Sequence, residues 1–378
     1  MLGGGAVFLV LAFFACSNDT ADPDPAQTAE AAAAGSPSDP PAVEPAPPLA
    51  EDGTGASTGS GDPPAVLTPS GITVAVLDRT AAGYLVRTPC GSTAEVSAGV
   101  PIENARVVLD PGHGGRWDTG AVGPNGLVER DLNLKLSRAV LDELAERGIP
   151  AATTRTGDYS ILHSVRAAFA DSVGADALVS IHHNAPTWSP SSVPGSEVYV
   201  QSRTAEQVRA DSARLGGLLY EEITAALATF DDIAWSGLPD AGVLRVLRSE
   251  GDDAYGMIRR PSVVTALVEY GYLSNPSEAR LFATDEYIRV AAEATADAID
   301  AYLHSDRPGT GFVQQPRTFN PSVSLNPLRR SCLGVEPRPQ RVRAARRAFM
   351  RWRMRAWASG VPSWKVPNSL SSGTGRLP

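Results

Sequence analysis

In the middle of the chain, short apolar runs alternate with segments whose apolar residues recur at helical spacing. Uninterrupted apolar runs of this kind are typical of buried strands, and they predict strands over 106–110, 149–154, 177–181, 196–201 and 262–269. Leu132, Leu136, Val140 and Leu144 recur every four residues and predict an amphipathic helix over 129–147, with Gly148 as its stop. Similar spacings predict helices over 165–173, 208–227 and 288–303. The alternation predicts a single three-layer α/β domain over 106–304, with a mostly parallel sheet between helices.

The stretch before this domain has a different pattern. Two runs rich in β-branched and aromatic residues, Ile72–Leu77 and Tyr84–Thr88, flank a turn. They predict a small β-hairpin lobe over 72–105.

The first 71 residues resemble an export signal followed by a spacer. Ala6–Ala15 has the length of a signal-peptide apolar core, and a small residue precedes Cys16. Residues 1–16 are therefore predicted to direct export to the periplasm or cell envelope, either as a cleaved secretion signal or as a lipoprotein signal with a lipid anchor at Cys16. Residues 17–71 are rich in Pro, Ala and Gly, and residues 17–78 hold ten acidic residues and no Lys or Arg. Residues 17–71 are therefore predicted to be a disordered acidic tether.

Net charge is unevenly distributed, so the total of -9 describes no single part. Residues 316–378 hold thirteen basic residues and one acidic residue. We expect 305–378 to be a disordered basic tail that includes an amphipathic helix over 341–357, suited to an anionic membrane or wall polymer. A fortuitous extension is the alternative. Because export is expected, nucleic acid is not an expected partner.

Polar clusters follow three of the predicted strands. His113 lies in a glycine-rich turn after the first, His182, His183 and Asn184 follow the strand over 177–181, and Glu269 ends the strand over 262–269. If these strands are parallel, the clusters meet at one edge of the sheet, where open α/β sheets place ligands. Glu129, at the start of the first long helix, is close enough in sequence to join them.

Two histidines and one carboxylate form a catalytic zinc set, with water as the fourth ligand. Glu269 would then be free to act as the general base. Each residue alone has an ordinary explanation: a hydrogen-bonded histidine, a carboxylate favoured by the helix dipole at Glu129, or an ion-pair partner at Glu269. Their joint placement favours the zinc site.

The chain resembles the zinc-dependent N-acetylmuramoyl-L-alanine amidases of the Amidase_3 type over about 106–304. The resemblance rests on four ordered motifs, which are Val107–Gly115, Asn125–Leu134, Val179–Ala185 and Val268–Asn275. It implies His113, Glu129 and His182 as ligands of one Zn²⁺ ion and Glu269 as the catalytic acid/base. His183 is either a supporting group or a ligand that competes with His182, and Asn184 is a further supporting candidate.

The resemblance also implies an activity. A zinc-activated water would hydrolyse the lactyl amide bond between N-acetylmuramic acid and L-alanine in peptidoglycan. The alternatives are a non-hydrolytic cell-envelope binding protein on an amidase fold and a zinc peptidase that cuts the stem peptide. The stretch Phe230–Gly256 is expected to be a loop over the groove that leaves the site open.

Overall fold

A computed structural model describes residues 62–185 and 189–319. The predicted signal peptide, most of the predicted tether and the predicted helix over 341–357 lie outside the described residues. Cys16 and Cys332 lie outside them as well. Cys90 is disulfide-bonded.

The N-terminal lobe is a five-stranded antiparallel sheet, larger than the predicted hairpin. Its strands are β1 (Ala65–Leu67), β2 (Thr73–Thr80), β3 (Gly83–Arg87), β4 (Thr93–Val96) and β5 (Val100–Ile102). They are ordered β4-β3-β2-β1-β5. Strand β1 lies inside the segment predicted as a disordered tether, and it pairs with both β2 and β5. The folded body therefore begins before residue 72, and we call this sheet the β-lobe.

The central sheet has six strands in the order β12-β10-β14-β8-β6-β7. Its strands are β6 (Val107–Pro111), β7 (Ala151–Thr153), β8 (Ala177–Asn184), β10 (Glu197–Val200), β12 (Val243–Leu244) and β14 (Thr265–Tyr272). All neighbours are parallel except β10 and β14. This confirms the predicted mostly parallel sheet. Strands β8 and β14 run beyond their predicted ends. His182, His183 and Asn184, expected after the strand over 177–181, therefore lie within β8, and Glu269, expected to end its strand, lies inside β14.

Helices cover both faces of the central sheet, as the predicted three-layer architecture requires. They are α1 (Glu129–Glu146), α2 (His163–Val173), α3 (Ala210–Leu227), α4 (Gly256–Arg259), α5 (Pro276–Phe282) and α6 (Asp285–His304). Helices α1, α3 and α6 pack on one face, which we call the helix face, where they bury the leucines at four-residue spacing against alternate strand residues. Helices α2 and α4 and the β-lobe cover the other face, the lobe face. None of the described helices is both long and apolar enough to cross a bilayer.

Residues 305–319 are folded against the domain, so the prediction of a disordered tail does not hold for them. We call this segment the C-terminal strap. It ends in strand β15 (Arg317–Thr318), which pairs in parallel with β13 (Val246–Leu247). Phe312 packs on the helix-face core and Phe319 on the lobe-face core. The strap therefore contributes buried apolar surface to the domain.

The stretch Phe230–Gly256, predicted as a loop, contains three two-residue strands and the first residue of α4. The three are β11 (Trp235–Ser236), β12 and β13. Strand β11 pairs with β9 (Pro190–Ser191), while β12 extends the central sheet. No long helix lies in this described stretch.

Candidate active site

Sheet register brings the predicted site residues to one edge of the sheet. Strands β6, β8 and β14 are parallel neighbours, and His182 is the register partner of Glu269. Pro111 pairs with Ile181, so the turn after β6 begins beside His182. Alternation along the strands places His182 and Glu269 on the lobe face, since their neighbours Ile181 and Val268 belong to the helix-face core.

His113, Glu129 and His182 converge on one point. The Nε2 atom of His113 and the Nδ1 atom of His182 each lie 3.1 Å from the same carboxylate oxygen, Oε1 of Glu129. One ligand atom from each residue lies within 4.8 Å of the others, and all three residues are buried. Glu129 is the first residue of helix α1.

The turn after β6 holds the imidazole of His113 in place. His113 has a backbone φ of +62°, a conformation that is costly for a residue with a β-carbon. Its Nδ1 atom donates to Oδ1 of Asp118 at 2.6 Å, and its carbonyl accepts from Nη2 of Arg166 at 2.7 Å. With Nδ1 protonated, the lone pair of Nε2 is directed at the convergence point.

Glu129 is buried and held by several donors. Its Oε2 atom accepts from the backbone N–H of Ala121 at 2.7 Å, and its Oε1 atom accepts from Nδ2 of Asn133 at 3.3 Å. A β-carbon on Gly120 would lie 2.3 Å from Oε2, so only glycine fits there. The carboxylate is thus fixed before any ligand binds.

His183 belongs to the opposite face of the sheet. Its Nδ1 atom contacts Oδ1 of Asn133 at 2.8 Å, and its Nε2 atom contacts the hydroxyl of Tyr287 at 2.6 Å. Its ring stacks on Tyr270 and meets Phe282 edge-on. The geometry therefore brings His182, and not His183, to Glu129 and His113. The imidazole of His183 reaches the site through Asn133, which contacts both His183 and Glu129. The backbone N–H of His183 donates directly to Oε1 of Glu129 at 3.2 Å.

The electrostatics of the cluster favour a bound cation. Burial opposes a charge on His113, but the carboxylates of Glu129 and Asp118 raise the pKa of its imidazole well above the usual value. Burial would raise the pKa of Glu129, but His113 and His182 hold it well below its usual range. Burial lowers the pKa of His182. A carboxylate between two imidazoles fits a divalent metal, which would replace the shared proton, and the nitrogen and oxygen donors match those of zinc.

Behind the turn lies a buried ion pair that the sequence analysis missed. Oδ1 of Asp110 accepts from Nη1 of Arg166 at 2.8 Å, and the same carboxylate accepts from Thr154 and Ser180. Arg166 also donates to the carbonyl of Pro111, so it links α2 to the turn that carries His113. Asp110 is part of the first motif, and its position inside an apolar strand was the available signal.

Beside Glu269 lies a second buried carboxylate that was also missed. Glu197 is the register partner of Glu269 across the antiparallel pair β10 and β14, and both are fully buried. Side chains directly opposed in this way have β-carbons about 5 Å apart. Glu197 accepts from the hydroxyl of Tyr199 at 2.8 Å and forms a two-point ion pair with Arg317, each contact 2.7 Å long. Asn184, predicted as a supporting group, donates to Glu197 at 3.4 Å.

Comparison with known proteins identifies the family. The family model described as N-acetylmuramoyl-L-alanine amidase matches residues 107–301. The uncharacterized protein YqiI of Bacillus subtilis is 34% identical over 218 residues, which cover 58% of this chain and 92% of that protein. The N-acetylmuramoyl-L-alanine amidase AmiA of Escherichia coli is 31% identical over 222 residues, which cover 52% of this chain and 76% of that protein.

A similar solved structure is the N-acetylmuramoyl-L-alanine amidase AmiC2 of Nostoc punctiforme. It is 31% identical, with 52% of this chain and 96% of that chain covered and a TM-score of 0.41. The family match spans both the convergence point of His113, Glu129 and His182 and the strand that carries Glu269. The chain belongs to the N-acetylmuramoyl-L-alanine amidase family.

Proposed function

We propose that this protein is a zinc-dependent N-acetylmuramoyl-L-alanine amidase. Its substrate would be peptidoglycan, and the bond cleaved would be the lactyl amide between N-acetylmuramic acid and L-alanine. The observation that carries the proposal is the convergence of His113, Glu129 and His182 next to the strand position of Glu269. Family membership supports it.

The chain's own residues divide the chemistry between them. A zinc ion held by His113, Glu129 and His182 would supply a Lewis acid that polarises the amide carbonyl and makes water more acidic. The carboxylate of Glu269 accepts the proton of the attacking water and delivers it to the nitrogen of the leaving L-alanine. Asp118 holds the tautomer and orientation of His113 through its 2.6 Å hydrogen bond. The buried setting strengthens each of these electrostatic interactions.

Mass spectrometry of digested peptidoglycan tests the proposal. The full-length protein loaded with zinc should release peptides that begin with free L-alanine. Glu269→Gln should lower this release by roughly 10²–10⁴-fold, because it removes the proton acceptor, and it should keep its zinc. Glu95→Gln is a matched control, since Glu95 is an exposed glutamate of the β-lobe. It should match the wild type.

Other products would identify another function. Cleavage between two amino acids of the stem peptide would make the protein a zinc peptidase, and binding without products would make it a non-hydrolytic envelope protein. Removal of the metal by a chelator should abolish release, and added zinc should restore it. Full activity in the chelated protein would contradict the metal assignment.

Export and attachment complete the proposal. An enzyme acting on peptidoglycan must reach the envelope, which agrees with the apolar run at Ala6–Ala15. Lipidation at Cys16 and binding of an anionic membrane or wall polymer through the basic residues after 319 are further parts of it. These segments lie outside the described residues, and their support is the sequence alone.

A further inference from the structure

The C-terminal strap reaches the candidate active site from outside the span that matches the family. The match ends at residue 301, whereas the strap covers 305–319. Backbone N–H groups of the strap donate to the carbonyl of Val243 in β12, from Val313 at 2.7 Å, and to the carbonyl of Arg245 between β12 and β13, from Arg317 at 2.9 Å. Its placement is therefore fixed by main-chain pairing as well as by the packing of the partly buried Phe312 and Phe319 against the two cores.

This pairing delivers one side chain to the sheet edge. The guanidinium of Arg317 holds both oxygens of Glu197 at 2.7 Å and also contacts both oxygens of Asp240, at 2.6 Å from Nε and 2.7 Å from Nη2. The planar fork of arginine suits such two-point contacts, which a lysine ammonium cannot reproduce. Asp240 is partly exposed, whereas Glu197 is completely buried.

Glu197 needs this cation because of its neighbours. It lies directly opposite Glu269 in the antiparallel pair, and like charges in that position repel each other. It also connects three strands of the site, since it accepts from Asn184 on β8, from Tyr199 on its own strand and from Tyr272 on β14 at 3.3 Å. A buried carboxylate left without its cation is strongly unfavourable, so loss of Arg317 would shift the groups that surround Glu269.

We propose that Arg317 is a positioning residue of the active site, which compensates and fixes Glu197 so that Glu269 keeps its place beside the metal ligands. The strap is then a functional part of this enzyme and not an appendage to it. This inference rests on the proposed amidase function.

Steady-state kinetics of the full-length, zinc-loaded protein test the inference. Arg317→Ala should lower kcat by roughly 10–100-fold, the size of effect expected when a reacting group is displaced by about 1 Å, with KM within about threefold of wild type and zinc content unchanged. Arg317→Lys should recover part of kcat, since it restores charge but not the fork. Arg307→Ala is the matched control, because Arg307 lies on the same strap and its guanidinium forms ion pairs with Glu221 and Glu222 on α3, away from the candidate site. It should stay within twofold of wild type.

A double variant separates positioning from general stability. In Arg317→Ala/Glu197→Gln the uncompensated charge is gone, so kcat should rise above that of Arg317→Ala alone. If Arg317→Ala does not fold, Arg317→Lys and the double variant carry the test. The inference would be overturned by wild-type kcat in a folded Arg317→Ala, or in Arg317→Lys if only that variant folds. It would also be overturned if kcat of the double variant were no higher than that of Arg317→Ala. An inactive wild type would instead overturn the proposed amidase function.

Discussion

Buried polar residues have different surroundings on the two faces of the central sheet. On the lobe face one edge of the sheet carries Asp110, His182, Glu197 and Glu269. Asp110 and Glu197 are paired with arginines, and His182 is paired with the carboxylate of Glu129. On the helix face the corresponding position is His183, one residue along the same strand from His182. It is enclosed by aromatic rings, and burial lowers the pKa of its imidazole to about 3.

This difference shows how environment decides the role of a histidine. His182 and His183 have the same chemistry and the same strand, but alternation sends one to a carboxylate and the other into an apolar layer. The lobe face can stabilise charge, which a metal site needs. The helix face keeps its imidazole neutral, so His183 acts there as a packed, hydrogen-bonded side chain.

The largest test of this contrast removes each histidine in turn. His182→Ala should lose bound zinc and reduce amidase activity by at least about 10³-fold, because a metal Lewis acid is worth several kcal/mol to the reaction. His183→Ala should keep most of its zinc and lose roughly 2–4 kcal/mol of stability, from the cavity and the hydroxyl left unpaired at Tyr287. Zinc content by elemental analysis and urea unfolding measure the two effects. Equal loss of zinc in both variants would mean that the faces do not differ as described.

Local patterns in the sequence predict most of the central sheet and the polar residues that lie at its edge. Apolar runs and four-residue periodicity are local signals, and they placed α1 and the strands β6, β8 and β14 to within a few residues of their ends. His113, Glu129, His182 and Glu269 could be predicted because they follow those signals closely. The choice between His182 and His183 could not be made from periodicity, since the end of β8 decides which side chains face the site.

The buried ion pair on the lobe face gives the second test. Burial opposes ionisation of Asp110, but Arg166 and the hydroxyls of Thr154 and Ser180 hold the pKa of its carboxyl below the usual value. A lowered pKa means that Asp110 stabilises the fold above about pH 4 and that this contribution is lost as pH falls through the folded-state pKa. Asp110→Asn should therefore cost about 3–5 kcal/mol at pH 7, because it leaves Arg166 without its carboxylate.

The difference between Asp110→Asn and wild type should shrink as pH falls, since protonated Asp110 resembles asparagine. Free energies of unfolding at several pH values between 7 and 2 give the measurement, because the difference should begin to shrink only below about pH 4. Asp142→Asn on the exposed surface of α1 is the control. A difference that stays constant with pH would contradict the assignment of charge to this pair.

The third test concerns Asp118, the acceptor that orients His113. Asp118→Ala removes the acceptor that orients His113, and loss of such a partner costs about 10–100-fold in metal affinity. Zinc competition with a chromophoric chelator measures the affinity. Asp131→Ala is the control, since Asp131 lies in the same region but is exposed on α1. Unchanged affinity in Asp118→Ala would show that the turn alone orients His113.

Long-range pairing explains what the sequence could not predict. Strand β1 has only three residues and lies in a Pro-rich and Gly-rich stretch, so no periodicity reveals it. The pairing of Arg317 with Glu197 joins residues 120 positions apart. A basic residue in a basic tail carries no local sign of a buried partner, and only the paired strands β13 and β15 bring it to the site.

The smallest test concerns the helix face alone. Oδ1 of Asn133 can only accept, so the hydrogen bond from His183 requires a proton on Nδ1 and leaves Nε2 to accept from the hydroxyl of Tyr287. Tyr287→Phe removes that donor and should cost about 1–2 kcal/mol of stability, with unchanged zinc content and kcat. Tyr302→Phe on α6 is a control outside this pair. A drop in kcat without loss of stability would mean that His183 takes part in the chemistry, and the contrast between the two faces would then fail.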